Sequence, residues 1–118
     1  MLEVATRRRT QAPPPHVVLA ALVHPDRDPG RPWLHLLDGE RRPVVVGAGS
    51  PRTVLWTSLW DERPDARVRF DAQPRDGGTD LRWTLLVHPP APDAATTRRL
   101  RRRLDELVNR DLRSTFDQ

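Results

Sequence analysis

The chain of 118 residues contains no cysteine, no lysine and no tyrosine. The absence of cysteine excludes a disulfide framework, a thiol nucleophile and a cysteine-based zinc site. It is also compatible with a reducing compartment, and we expect a cytoplasmic protein. The longest apolar run, around Val17–Val23, is too short to cross a bilayer. No apolar signal core follows the arginines at 7–9, so we expect neither membrane insertion nor secretion.

Apolar and aromatic residues are also scarce. They make up 36% and 5% of the chain, whereas there are 13 prolines. A chain of this length buries roughly two thirds of its unfolded surface as one domain. We therefore expect a single domain over residues 1–118, with a small core and many loops.

The basic charge of the chain is modest despite a sequence pI near 11.2. All 20 basic residues are arginine and the net charge is +4. Because the chain has no lysine or tyrosine to titrate at pKa values between those of histidine and arginine, a small excess of positive charge raises the pI strongly. Acidic residues are mixed with the arginines, and no aromatic residues are interleaved with them, so we expect no nucleic-acid partner.

Two amphipathic strands near the middle of the chain give the strongest local pattern. Arg67–Gln73 and Thr79–Val87 alternate apolar and polar residues, and Arg75–Gly78 between them is a strong hairpin signal. Such a period of two predicts an antiparallel sheet with one dry and one wet face. The residues expected on the dry face are Val68, Phe70, Ala72, Leu81, Trp83, Leu85 and Val87.

A long helix is predicted after the prolines at 89–92. Asp93 fits its N-cap, and the apolar residues that follow recur at three- and four-residue steps. They are Leu100, Leu104, Leu107, Val108, Leu112 and Phe116. Burying six such side chains is worth on the order of 10 kcal/mol before entropy, so we expect this helix to cover the dry face of the sheet.

Weaker signals complete the prediction for the first half of the chain. Two short helices are expected after the first strand, and the second has Pro32 near its start and Gly39 at its end. The inward face of the strand over 52–60 is left open, because both of its faces are apolar. The predicted elements are a strand over Leu2–Thr10, helices over His16–Val23 and Trp33–Glu40, strands over Pro43–Ala48 and Arg52–Trp60, and turns over 26–30 and 49–51.

This order of elements resembles the START-like, or SRPBCC, superfamily. Local phrases support the resemblance: Pro14–Pro25 is similar to the first helix of such proteins, Trp33–Glu40 to the second, and Gly77–Leu85 to their hairpin. The resemblance implies an α+β helix-grip fold. In that fold, a curved antiparallel sheet, here of about five strands, surrounds a long C-terminal helix, and two short helices follow the first strand.

The same resemblance implies a container whose function depends on what lines it. Our first hypothesis is a module that binds a hydrophobic or aromatic small molecule or lipid between the sheet and the C-terminal helix. A polyketide cyclase- or dehydratase-like enzyme and a co-chaperone-like protein-interaction domain remain as alternatives. The expected assembly is a monomer or a homodimer.

Large apolar side chains are the candidate ligand contacts. Indole groups can line a cavity and also offer a hydrogen bond, although plain core packing is the simpler interpretation in a chain with so few aromatics. Trp33 is additionally a candidate gate, and His35 a candidate contact beside it. The candidate set is Trp33, His35, Trp56, Trp60, Phe70, Trp83, Leu104 and Val108.

No catalytic, metal or cofactor motif is present in the sequence. The four histidines are widely spaced, so we expect no metal site, no catalytic residue and no cofactor. Glu40 could serve as a pocket acid or base, but the simpler interpretation is a solvated loop charge. Asp80 and Arg82, on the wet face, are expected to pair with Arg67 or Arg69.

The arginine cluster over 98–103 is an electrostatic oddity, because cations oppose the dipole near the beginning of a helix. We expect a solvated face, with acidic loops such as Asp61–Glu62, an anionic ligand or an acidic partner as possible compensation.

Overall fold

The computed structural model describes residues 1–25, 33–47 and 52–116. The strands are β1 (Leu2–Gln11), β2 (Val45–Gly47), β3 (Thr53–Thr57), β4 (Arg67–Arg75) and β5 (Gly78–Val87). The helices are α1 (Pro15–Val23) and α2 (Ala94–Glu106). Without a break, α2 continues as a π-helical segment, Leu107–Leu112, and a last α-helical turn, Arg113–Phe116. We call these 23 residues the C-terminal helix.

The five strands form one antiparallel sheet in the order β1-β5-β4-β3-β2. The predicted hairpin of β4 and β5 is confirmed, with Phe70 opposite Trp83. Its turn has Asp76 at φ 48° and Gly77 at φ 85°. Two consecutive positive φ angles match the twist of the flanking strands, which is why Gly is favoured at this position.

The dry face of the sheet is covered by the C-terminal helix, as predicted. Asp93 caps the helix, because its carboxylate accepts a hydrogen bond of 2.7 Å from the Thr96 N–H. The apolar stripe from Leu100 to Leu112 is at most 1% exposed, and Phe116 is half-buried against the same core. The α+β helix-grip class, with a five-stranded curved sheet and a long C-terminal helix, is therefore confirmed.

Helix α1 contacts β3, β4 and β5, and two tryptophans bind its C-terminal end. The indole N–H of Trp33 donates to the Ala21 carbonyl and that of Trp56 to the Leu22 carbonyl, each at 2.9 Å. Carbonyls in the last turn of a helix have no partner within the helix. The two indoles therefore satisfy backbone groups that the fold would otherwise bury unpaired.

The prediction of a second short helix over Trp33–Glu40 is wrong. Residue 33 lies in a bend and residues 34–37 have no regular secondary structure, and a turn follows in which the Glu40 N–H donates to the Leu37 carbonyl at 3.0 Å. Gly39 takes φ 82° within this turn and does not end a helix. Tertiary contacts decide the outcome, because Trp33 and Leu34, adjacent in the chain, are both buried in the core. The turn predicted over 26–30 lies outside the described residues.

The strands predicted over Pro43–Ala48 and Arg52–Trp60 are shorter than expected. They form only at Val45–Gly47 and Thr53–Thr57; Ala48 and the turn at 49–51 lie outside the described residues. Strand β3 ends at Thr57 because Ser58 Oγ binds the backbone of Trp60. Its Val54/Trp56 face points inward, and Leu59 is buried as well.

Ion pairs on the wet face differ from those expected. Asp80 lies 3.8 Å from Arg8, and Arg82 lies 4.0 Å from Asp71. The prediction of pairs with Arg67 or Arg69 is wrong, since Arg69 contacts Asp71 on its own strand. Strand β1 places Arg8 directly opposite Arg82, which is two residues from Asp80 along β5. That placement depends on which strand neighbours β5.

Candidate ligand-binding site

A cleft of about 540 Å³ lies between the C-terminal helix and two loops. One side, which we call the helix lip, consists of Arg99, Arg102, Arg103 and Glu106. The other, the loop lip, consists of residues 37–40 and 60–62. A volume of this size falls within the range of small-molecule sites in proteins.

A buried ion pair forms the base of the cleft. Arg103 donates to both carboxylate oxygens of Glu40, at 2.8 and 2.9 Å, and to the His35 carbonyl at 2.7 Å. The side chains of Arg103 and Glu40 are only 7% and 5% exposed. Because a bidentate hydrogen-bonded pair tolerates burial better than a lone charge, the helix and the loop are joined here by charge.

The interpretation of Glu40 as a solvated loop charge is therefore wrong. The turn over Leu37–Glu40 directs its side chain inward, where the Leu37 N–H also donates to it at 2.9 Å. Burial by itself raises the pKa of Glu40, but the hydrogen bonds from Arg103 and Leu37, with the charge of Arg103, outweigh it and lower the pKa. Glu40 is accordingly ionised at neutral pH.

Weaker ion pairs surround the mouth of the cleft. Arg99 on the helix lip contacts Glu62 on the loop lip, and both side chains are about half exposed. Asp61 lies 3.4 Å from Arg41, and Glu106 lies 3.7 Å from Arg103. The exposed pairs Arg99–Glu62 and Arg41–Asp61 contribute little to stability, roughly 0–1 kcal/mol each, so they are free to rearrange.

The arginine cluster over 98–103 is divided by helix geometry. Arg99 and Arg103, four residues apart, share one face and bind Glu62 and Glu40. Glu62 thus supplies the acidic-loop compensation that the sequence suggested. Arg98, Arg101 and Arg102 are exposed and have no hydrogen-bond or ion-pair partner within residues 1–25, 33–47 and 52–116. The expectation of a solvated face holds for these three and is wrong for Arg103.

Of the predicted contact residues, the structure brings only Trp60 to this cleft. Trp56 stacks on Trp33, with ring centroids 6.0 Å apart, and meets Phe70 edge-on at 4.7 Å. The side chain of His35 is exposed, and its carbonyl rather than its ring contacts the cleft base. The predicted residues that lie in the packed interior, at most 1% exposed, are Trp56, Phe70, Trp83, Leu104 and Val108.

Behind the cleft, Asp105 joins the helix to the sheet. It accepts two hydrogen bonds from Arg9, at 2.8 and 2.7 Å, and lies 3.7 Å from Arg7. The hydrogen bond from Arg9 lowers the pKa of Asp105 against the opposing effect of burial. The indole N–H of Trp83 contributes to the lower pKa, although its geometry does not meet that of a hydrogen bond. In the part of the chain that is described, no group of three potential metal ligands converges.

Sequence reasoning missed the Glu40–Arg103 pair and the roles of Leu37 and Arg102. The two members of the pair are separated by 63 positions, and no local pattern links a turn carboxylate to one arginine among several. One signal was available: Arg99 and Arg103 each precede a residue of the buried stripe, Leu100 and Leu104. Residues at the border of an apolar stripe are the ones that reach neighbouring loops.

Comparison with solved structures identifies the fold. The Aha1 dimer from Colwellia psychrerythraea superposes with a TM-score of 0.69 at 15% identity, covering 98% of this chain and 96% of that one. CalU16 from Micromonospora echinospora gives 0.67 at 17% identity, covering 92% and 70%. Protein BH1534 from Bacillus halodurans gives 0.67 at 16% identity, covering 98% and 97%. No family model and no curated protein sequence matches the chain.

At these levels of identity the likeness is one of fold. It confirms the helix-grip architecture that the resemblance implied, over nearly the whole chain. Activity depends on the residues that line a site, and these differ among proteins that share a fold.

Proposed function

We propose that this protein is a ligand-binding module that takes a hydrophobic or aromatic small molecule, or part of a lipid, in the cleft between the C-terminal helix and the loop lip. The observation that carries the proposal is the buried, bidentate Glu40–Arg103 pair at the base of a 540 Å³ cleft. A buried charge pair costs desolvation energy that an apolar pair avoids. Its placement at a concave surface supports a binding role for that surface.

The position of the cleft modifies the initial hypothesis of a site between the sheet and the helix. Trp56, Phe70, Trp83 and Leu104 fill that space with at most 1% exposure. An apolar ligand there would have to displace close-packed side chains. The cleft is open to ligand without such displacement, and its lining includes Leu37, Trp60 and Arg102.

The same geometry favours binding over catalysis. Glu40 was the candidate general acid or base, yet both of its oxygens accept hydrogen bonds from Arg103 and its pKa is lowered. A general acid needs a proton at the working pH, and a general base needs a free lone pair aimed at the substrate. Glu40 therefore serves better as an anchor for the loop than as an acid or base.

A second candidate function is protein interaction. The Colwellia protein is described as a dimer. In this chain β2 is an edge strand of the sheet, and Val46 within it and Val44 just before it are 50% and 61% exposed. Unpaired apolar edges favour association with another chain. A homodimer is thus compatible with the ligand role.

We further propose a cytoplasmic location, which the cysteine-free composition supports, and a single domain over 1–118.

Ligand binding is tested by isothermal titration with two probe pairs, 2-naphthoate with 2-naphthol and decanoate with 1-decanol. Leu37→Ser should weaken the binding of whichever probes bind, because Leu37 lines the cleft and is 56% exposed. Leu2→Ser is the matched control: Leu2 is 41% exposed and lies outside the cleft.

The proposal fails if none of the four probes binds and solvent extraction of purified protein yields no bound molecule by mass spectrometry. It also fails if both leucine variants weaken binding equally, since the binding would then have no link to the cleft.

A further inference from the structure

Within the described part of the chain, Arg102 is the guanidinium of the cleft that has no protein partner. Of the three arginines on the helix lip, Arg99 binds Glu62 and Arg103 binds Glu40. Arg102 lines the same cleft, but throughout the described ranges no acceptor lies within hydrogen-bonding or ion-pairing distance of it. An arginine has five N–H donors arranged for bidentate bonding to a carboxylate or phosphate. Here they remain available to a ligand.

Charge around the cleft is distributed unevenly. Four of its five carboxylates lie within 4.0 Å of an arginine: Glu40, Asp61, Glu62 and Glu106. The fifth, Asp38, belongs to the loop lip. The exposed Arg98 lies one helical turn before Arg102 on the same face, and the exposed Arg101 precedes Arg102 in the chain. Uncompensated positive charge is therefore concentrated at the helix lip.

A second arginine can be recruited at the same place. Arg99 lies one turn before Arg102 and Arg103, and its pair with Glu62 extends between the two lips. Because both side chains are half exposed, solvent screens this pair and it is easily exchanged. An anion bound at Arg102 would compete with Glu62 for Arg99.

We propose that the cleft selects an organic anion: a carboxylate, or a group of equivalent shape and charge, binds Arg102 at the helix lip while an apolar or aromatic body lies against Leu37 and Trp60. Arg99 exchanges Glu62 for the anion and becomes its second contact. This inference rests on the proposed function of the cleft and adds the chemical class of its ligand.

The experiment compares the two members of each probe pair, which differ in charge and share a body. Wild-type protein should bind 2-naphthoate about tenfold more tightly than 2-naphthol, as expected for one charge-assisted contact. Arg102→Gln should remove most of that preference, measured as the ratio of the two affinities. Arg101→Gln is the matched control, because it removes an exposed, unpaired charge one residue away that does not line the cleft.

Glu62→Gln supplies a test of opposite sign. Freeing Arg99 should tighten the binding of 2-naphthoate by up to about fivefold, the range of an exposed ion pair, and so raise its preference over 2-naphthol. Glu3→Gln is its control, since it removes an exposed carboxylate far from the cleft lining. A variant that only disturbed the structure would weaken both probes.

The inference is overturned if 2-naphthol and decanol bind as tightly as their anionic partners, or if Arg101→Gln and Arg102→Gln reduce anion binding equally. Either result would leave the ligand-binding role intact, because the neutral probes still bind and still respond to Leu37→Ser. Absence of binding by all four probes, together with no molecule extracted from the purified protein, would instead refute the proposed function itself.

Discussion

Individual residues of the cleft gain their roles from partners remote in the chain. Glu40 and Arg103 neutralise and hydrogen-bond each other at a position that excludes most solvent. Removing one member leaves a buried, unpaired charge, which is far more costly than losing an exposed pair. The pair thus fixes the loop lip against the helix and gives the cleft a defined base.

Arg103→Met should lower the free energy of unfolding by about 3–5 kcal/mol, because Glu40 is left buried without a counter-charge. Urea denaturation measures this change, and Arg101→Met on the exposed face should stay within roughly 0.5 kcal/mol of wild type. The double variant Arg103→Met with Glu40→Gln should lose less than the two single variants combined. Additive losses would contradict a direct interaction between the two side chains.

Stability should also fall in acid. The pKa values of Glu40, Asp105 and Asp65 are all lowered in the folded protein. A lowered pKa means that the folded state holds fewer protons than the unfolded one, so the stabilisation is present above the ordinary carboxylate pKa of about 4. It is lost as the pH falls from there through the lower folded pKa values.

Unfolding free energies measured from pH 7 down to pH 2 should show this loss, and the decline should be smaller in Glu40→Gln, which has no carboxylate to protonate at the cleft base. Identical pH profiles for the variant and wild type would indicate that the Glu40–Arg103 pair contributes nothing to the linkage.

Among the secondary-structure elements, the C-terminal helix and the β4–β5 hairpin could be predicted because their signals are local and repeated. The helix carries an apolar stripe with a step of three and four residues, and the hairpin carries a strict alternation with Asp76 and Gly77 at its turn. The segment over 33–40 could not be predicted, because the adjacent Trp33 and Leu34 fit either a helix or a buried extended chain. Contacts with α1 decide between the two.

Leu104→Asp tests the role of the C-terminal helix as an element. Leu104 is fully buried against the sheet, so the variant buries an unpaired charge and should abolish cooperative unfolding. Circular dichroism during thermal denaturation measures the effect. Ala95→Asp introduces the same charge at an exposed position of the same helix and should melt close to wild type. An unchanged melting temperature in Leu104→Asp would show that the stripe does not pack as described.

Taken as a whole, the molecule separates its core from its cleft. The predicted ligand contacts were the largest apolar residues, and most of them form the packed interior, whereas only Trp60 reaches the cleft. A small core needs all of its large side chains for packing, so they do not line a cavity. The candidate site instead uses charged and loop residues around the outside of the helix.

Phe70→Leu distinguishes the two locations for a ligand. The variant creates space between sheet and helix and should lower stability, but it should leave the affinity for 2-naphthoate within about twofold of wild type, because the cleft is a separate site. Titration calorimetry at a temperature where the variant is folded provides the comparison. A large gain in affinity would move the binding site to the interior.

The sequence by itself determined the architecture of this protein, because the alternation of β4 and β5 and the stripe of the C-terminal helix each encode which face is buried. It also determined that Arg98–Arg103 is a concentration of positive charge. Only the tertiary structure decided which arginines are neutralised and that Glu40 is buried. Those outcomes depend on loops that meet the helix from 37 and 63 residues away, and a charge has no preferred partner until the chain brings one within reach.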